Sequence, residues 1–373
     1  MRDDLPTLAA EAYGYGYPLL QNLHAVGRAA AFNTFVDAPG ADPDLLTSTA
    51  QLDLSGGPIW LRVPATGGRY HVIQFIDAWT NNFAYVGSRT TPDEPREYLL
   101  VPPGWAGREA PAAEVIRVPT MIATLIARFP AKTDLTLQRM YPQVALDGLP
   151  APQAGVPDDV RFLEELRRSL AAFPPSPAER RYQRRFAPLG VLADGNSPFA
   201  TMPREQRQAL REGLDRGREA LEEAATTAHA APVNGWTNNV HAFDYNLDYF
   251  EVGTVDAPQW TLRDREHARH ARAVAARTRL WGSHGYESVT AALHKDGEGN
   301  RLTGAHTYTL ALPPLPNATL AAYTALDPRP IATIPIEPAA PTRIETPGGE
   351  FHLILRIYAP DDPTLPLPAL ART

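Results

Sequence analysis

GGRYHVIQFIDAWTNNFAYVGSRTT, running from Gly67 to Thr91, is the stretch from which the fold can be read. Its first half alternates. Arg69, His71, Ile73, Phe75 and Asp77 share one face of a strand, and Tyr70, Val72, Gln74 and Ile76 share the other. Both faces mix polar with apolar groups, whereas a half-buried strand keeps them apart. Gln74 between Val72 and Ile76 therefore reads as a buried amide that needs partners, since burying it unpaired costs about 1–3 kcal/mol. The strand breaks at Trp79-Thr80-Asn81-Asn82, and a second extended run, Phe83 to Val86, returns toward Gly87-Ser88-Arg89-Thr90-Thr91. The pattern is a hairpin. Either it is a core hairpin with a decorated tip, or its tip lines a pocket.

Working outward, short runs punctuated by Gly and Pro predict strands at Ile59–Val63, Tyr70–Asp77, Phe83–Val86, Glu97–Val101 and Glu114–Val118, a spacing that suggests a β-sandwich. Met121–Phe129 fits a strand or a helix start. Upstream, Leu5 to Ala31 is Ala-rich with helical spacing, and Pro18 should kink or divide it. From Asp134 to Ala225 charged Ala/Leu/Arg blocks predict helices at Asp134–Tyr141, Pro157–Phe173, Ala178–Phe186 and Pro203–Ala225. A further helix is expected from Arg263 to Leu280. Strands then return at Ser288–Leu293, Thr307–Leu312, Leu320–Thr324, Ile331–Ile336 and Phe351–Tyr358, the first two joined as a hairpin by Asp296-Gly-Glu-Gly-Asn300. This divides the chain into residues 1–132 (helix plus β-sandwich), 133–232 (helical middle) and 233–373 (β-sandwich). The class is mainly β with a substantial helical part.

Composition narrows the function. The chain has 373 residues, 44% hydrophobic and 21% charged, with a net charge of -7, which suits a large soluble core and argues against a nucleic-acid surface. Without cysteine there are no disulfides, thiolate metal sites or cysteine nucleophiles. Lys132 and Lys295 are the only lysines, which limits Schiff-base chemistry to two positions. The acidic N-terminus is not a secretory signal, and no run approaches the roughly 20 apolar residues of a membrane span, so a cytoplasmic location is expected.

The residues resemble those of the bacterial proteins that fuse domain of unknown function 1254 to domain of unknown function 1214. The likeness rests on Tyr13-Gly-Tyr-Gly-Tyr17-Pro18, on Leu52-Asp53-Leu54-Ser55 followed by the opening hairpin, and on Gly87-Ser-Arg-Thr-Thr91. It continues through Val118-Pro119-Thr120 to Arg128, Gly235-Trp236, Asp248-Tyr249 and the Asp296–Gly304 segment, and the hairpin is its most specific part. It implies an N-terminal immunoglobulin-like sandwich, a helical middle and a C-terminal jelly-roll-like sandwich. It implies no particular activity. Three positions depart from the family pattern: Asp42–Ser48 keeps only Asp44, Leu46 and Ser48 of an Asn-Asn-Asp-Thr-Leu-Tyr-Ser run, an arginine is replaced around Val252, and an aromatic strand has become Ala318-Thr319-Leu320. If they line the family's pocket, it has been rebuilt here.

Three clusters could carry chemistry. In the hairpin group, Arg69, Gln74, Asp77, Trp79, Asn81 and Arg89 come with Asp44, and an arginine could hold a substrate carboxylate or pair with Asp77. In the second, His241, Asp244 and Asp248, with Tyr245 and Tyr249, would share one helix face, and Asp244 would orient His241 for acid–base work, unless the spacing only marks a cap or a solvated face. A third, His267 and His270 near Asp264 and Glu266, is weakened as a metal site by Arg265, Arg269 and Arg272, which look solvated. Arg180, Arg181, Arg184 and Arg185 read as a solvated face or an anion site. No nucleophile elbow, phosphate loop or dinucleotide fingerprint is present.

The reading is a cofactor-independent, metal-free lyase, cyclase or dehydratase acting on a small organic or natural-product substrate between the domains. His241, Asp244 and Asp77 would be catalytic, and Asp44, Arg69, Gln74, Trp79, Asn81, Arg89, Tyr245, Asp248 and Tyr249 would bind substrate. The alternative is a sandwich that holds a small molecule or carbohydrate without reacting it. Partners expected are that small molecule and a second copy in a homodimer, with no nucleic acid and no membrane.

Overall fold

In the computed structural model the described residues are 4–29, 31–38, 45–107, 114–141, 148–227, 232–310, 318–324, 330–335, 342–344, 346, 348–360, 364–365 and 367–372. They form four sheets and five α-helices, with no closed barrel. The first sheet has the order β1 (Val36–Ala38), β2 (Leu46–Asp53), β8 (Ile122–Phe129), β4 (Val72–Asp77), β5 (Asn82–Gly87), all antiparallel. The second runs β7 (Glu114–Arg117), β6 (Arg96–Val101), β3 (Ile59–Val63), β9 (Thr136–Arg139), and only β6 with β7 is parallel. Buried side chains of both, including Leu52, Ile73, Phe75, Leu61, Tyr98 and Leu100, share one core.

The C-terminal strands form a sheet β10 (Trp236–Thr237), β11 (Ser288–Leu293), β16 (Phe351–Tyr358), β13 (Ala318–Thr324), β14 (Pro330–Pro335), and a smaller one, β15 (Thr342–Ile344), β12 (Tyr308–Leu310), β17 (Leu370–Arg372). The turn at Asp296 does not make the expected hairpin. One bridge, Lys295 to Arg301, closes it, and the chain then leaves β11 for the other sheet.

The helices are α1 (Leu5–Val26), α2 (Arg161–Ala172), α3 (Arg180–Gln183), α4 (Arg204–Thr227) and α5 (Arg265–Arg279), and all but the short α3 contribute buried residues to one apolar cluster. A 3-10 turn, Arg184–Leu189, follows α3. None is long and apolar enough to cross a membrane, among the described residues. Pro18 lies inside α1 without ending it. α1 and α4 approach closely at Gly213, where a Cβ would sit 2.2 Å from the Pro6 carbonyl oxygen. The helix expected at Asp134–Tyr141 is instead the edge strand β9, whose residues alternate between exposed and half-buried, a period of two.

The hairpin is sealed on both faces, because every residue of β4 and β5 is buried. Ile73 and Phe75 enter the N-terminal core, while Val72 and Tyr85 belong to the core of the C-terminal sheets. That is why its alternation is polar on both sides: each face meets a different partner. The free edge of β5 is covered as well, with Tyr85 N–H donating to Val252 O at 2.8 Å and Glu251 N–H to Phe83 O at 2.9 Å. Gly253 has φ +74°, and a Cβ there would come 2.2 Å from the Tyr85 carbonyl oxygen, so this crossing requires glycine.

Candidate functional site

The hairpin tip is built around Asp77. Its carboxylate accepts from Trp79 N–H at 2.9 Å, Asn81 N–H at 2.8 Å and Asn81 Nδ2 at 2.9 Å, which closes the turn and allows Thr80 a left-handed φ of 65°. Burial pushes the Asp77 carboxyl up to about 6, partly offset by those N–H donors and by Arg272. The tip joins elements. Asn22 of α1 donates to the Asp77 and Ala78 carbonyls at 3.2 and 3.0 Å, Trp79 Nε1 donates to Phe173 O just past α2 at 3.0 Å, and Tyr245 Oη donates to Thr80 O at 3.0 Å. Asn81 Oδ1 accepts from Arg272 Nη2 at 2.8 Å, so Asn81 connects the carboxylate to a guanidinium. All of Asp77, Trp79, Thr80 and Asn81 are buried.

The arginines expected beside Asp77 lie elsewhere. β5 extends about 17 Å at ~3.3 Å per residue, and Arg69 and Arg89 stand at its opposite end. Arg89 Nε pairs with Glu287 at 2.9 Å and its guanidinium lies 4.8 Å over the Tyr286 ring. Arg69 is exposed and its Nε donates to Thr66 O at 3.0 Å. Gln74, midway, answers the demand its sequence posed. Its Nε2 reaches Asn82 Oδ1 at 2.8 Å and Gly282 O at 2.9 Å, and its Oε1 accepts from Arg128 at 3.2 Å. Asp44 lies outside the described residues.

Beyond Gly282 sits a cluster the sequence did not suggest. His284 Nδ1 lies 2.9 Å from Tyr85 Oη and 3.0 Å from Tyr286 Oη, its ring stacks on Tyr286 at 4.7 Å, and the His284 backbone N–H donates to Tyr85 Oη at 3.0 Å. Burial, helped by Arg89, lowers the His284 imidazole to about 3, so it is neutral. Glu287, also buried, takes Arg89 and Tyr70 as partners.

The arginines of α5 are not a solvated stripe. Arg265 Nη1 reaches Asp248 Oδ2 at 3.1 Å and Glu179 Oε1 at 3.0 Å, Arg269 pairs with Glu179 at 3.0 Å and lies 3.6 Å over the Tyr182 ring, and Arg272 turns to the hairpin tip. Burial alone would raise the Asp248 carboxyl, but Arg265 and Ser176 hold it below its usual range. Periodicity hid these roles, because their acidic partners come from other segments. Arg180, Arg181, Arg184 and Arg185 are exposed. His267 and His270 are exposed too, and no three metal-ligating side chains converge among the described residues.

The second expected group is not helical, for residues 240–245 form turns. It therefore scatters. Tyr245 goes to Thr80, Asp248 to α5, and half-buried Tyr249 packs on the N-terminal core, its hydroxyl pushed up to about 12 by burial and by Asp77. Only His241 and Asp244 meet, with Nδ1 2.6 Å from Oδ2. The Asp244 side chain is 2% exposed and that of His241 51%, so a buried carboxylate fixes an accessible ring. The hydrogen bond to Asp244 raises the His241 imidazole above its ordinary value, and burial raises the Asp244 carboxyl despite His241. Nε2 makes no hydrogen bond among the described residues and is available to exchange a proton with a solute. Trp260 lies 6.0 Å from the ring.

A cavity of about 630 Å³ opens elsewhere, beside the Lys295–Gly299 turn and Leu370, and one of about 200 Å³ adjoins it at His294 and His352. Val252 packs against the N-terminal core as a cover of β5, residues 318–320 lie in β13, and of Asp42–Ser48 residues 42–44 lie outside the described residues.

Residues 23–144 match the family model described as "Protein of unknown function (DUF1254)". No curated protein matches the chain. The VPA0106 protein from Vibrio parahaemolyticus is similar in fold, with a TM-score of 0.76 at 18% identity over 99% of this chain and 100% of that one. An uncharacterised protein from Burkholderia cenocepacia aligns with a TM-score of 0.41 at 10% identity over 99% of this chain and 95% of that one.

Proposed function

We propose that the protein is a cofactor-independent enzyme that carries out acid–base chemistry on a small organic substrate, in the manner of a lyase, cyclase or dehydratase. His241 is the proton carrier and Asp244 the residue that orients it. The observation that carries this reading is the 2.6 Å contact between an almost wholly buried carboxylate and a half-exposed imidazole. Such a pairing fixes the ring's tautomer and leaves Nε2 to give or take a proton near neutral pH, which is what a general acid–base requires. Asp77, Gln74, Trp79, Asn81 and Arg89 serve in this reading as the sealed junction between elements. The two N-terminal sheets are read as an immunoglobulin-like sandwich and the C-terminal pair as a jelly-roll-like domain of the unknown-function 1214 kind, which the shared cores support.

A second reading, retention of a small molecule without reaction, draws on the 630 Å³ cavity, whose lining includes neither member of the dyad. Purified protein should be incubated with a bacterial metabolite extract, with no cofactor added, and the mixture followed by untargeted mass spectrometry. Compounds consumed by the wild type are expected to be consumed at least about 100-fold more slowly by folded His241→Gln and Asp244→Asn variants. Equal consumption by the variants would remove the dyad from the mechanism, and no consumption by any of them would leave the binding reading.

A further inference from the structure

We infer that the cavity at the Lys295 turn is a binding site for a small organic acid. Its volume, about 630 Å³, falls in the range of small-molecule sites. Lys295 is exposed on its wall, and its ammonium makes no ion pair or hydrogen bond among the described residues. Most other wall groups are already occupied. Asn234 Nδ2 donates to Leu367 O and Thr237 Oγ1 to Ala292 O at 3.2 Å. The Asp296 carboxylate is ionised: its Oδ1 accepts from Glu298 N–H at 3.0 Å and Asn300 N–H at 2.9 Å, and its buried Oδ2 has no hydrogen bond, its charge being countered, among the described residues, only by Arg372 at 3.8 Å.

An unpaired cation remains, next to His294 in sequence, in a cavity whose lining also includes the apolar residues Pro232, Ala369 and Leu370. His294 also lies on the adjoining 200 Å³ cavity, where its ring is 5.1 Å from His352. One ammonium and one imidazole against an aliphatic wall suit a carboxylate with an apolar body. A phosphate, with three charged oxygens to satisfy, would ask for more donors than this wall offers. Neither His241 nor Asp244 lines the cavity, so this inference stands apart from the proposed reaction.

The test uses hexanoate, hexanol and inorganic phosphate as probes of the full-length protein, followed by amide chemical shifts. Hexanoate is expected to move the signals of Lys295, Gly297 and Leu370 saturably, hexanol and phosphate at least tenfold more weakly, and Lys295→Gln is expected to weaken hexanoate at least tenfold. Lys295 is exposed, so that variant should fold. Absence of saturable shifts with hexanoate, equal binding of phosphate or hexanol, or undiminished binding to Lys295→Gln would overturn the inference.

Discussion

Two histidines of this chain each use Nδ1 in a hydrogen bond, and their surroundings send them in opposite directions. His284 faces the hydroxyls of Tyr85 and Tyr286, is 3% exposed, and is held neutral with its imidazole lowered to about 3. His241 faces the Asp244 carboxylate, is half-exposed, and is raised. Where neutral partners and burial act together the cation is excluded; where a carboxylate and solvent act together it is favoured. The sealed hairpin interface and the open dyad thus contain the same kinds of residue but differ in access. That difference separates the groups that hold the molecule together from those able to meet a solute.

The comparison breaks most readily at the hairpin tip. Trp79 is buried and bonds to Phe173 O, so Trp79→Ala is expected to destabilise the fold by about 3–5 kcal/mol in denaturant unfolding. A loss below about 1 kcal/mol would mean the tip is not the junction described. The next effect is on acid stability. Because the folded-state value of His284 lies below the unfolded value near 6.5, its contribution is undisturbed above pH 6.5. It turns unfavourable as pH falls toward 3, by up to about 1.4 kcal/mol per pH unit. Asp77 acts with the opposite sign: its raised value means that protonation below about pH 6 favours the folded state. His284→Gln, which cannot take up a proton, is therefore expected to move the acid-unfolding midpoint downward. An unchanged midpoint would show that His284 is not sealed.

Much of the fold was legible because it follows from local pattern. The alternation of Val72–Asp77, the break at Trp79–Asn81 and the helical block of α5 are all written within a few residues, whereas the cap of α5, where Asp264 accepts from His267 N–H at 2.6 Å, lies inside the range Arg263–Leu280 expected to be helical. Gln74 announced its need for partners without naming them. What failed to show depends on distance in sequence. Tyr85 and His284 are 199 positions apart, and Arg269 and Glu179 are 90, so neither pair leaves a periodic trace. The α5 arginines read as solvated because a charged stripe usually is, and only the tertiary arrangement supplies Glu179 and Asp248. A signal for His284 was present in the Trp281-Gly-Ser-His-Gly-Tyr286 run, whose small residues allow the close packing that buries an imidazole between tyrosines. The second group misled because a helical period was assumed. The turn at 240–245 kept only its i, i+3 contact, and of the candidate site that contact alone was both legible and accessible.

The most direct test is a pH titration of the imidazole carbon signals of His241 and His284 in one sample, repeated in Asp244→Asn. The account predicts that His241 titrates above 6.5 and falls when Asp244 is neutralised, while His284 shows no transition down to the pH at which the protein unfolds. A His284 transition near 6.5, or a His241 transition indifferent to Asp244→Asn, would contradict it.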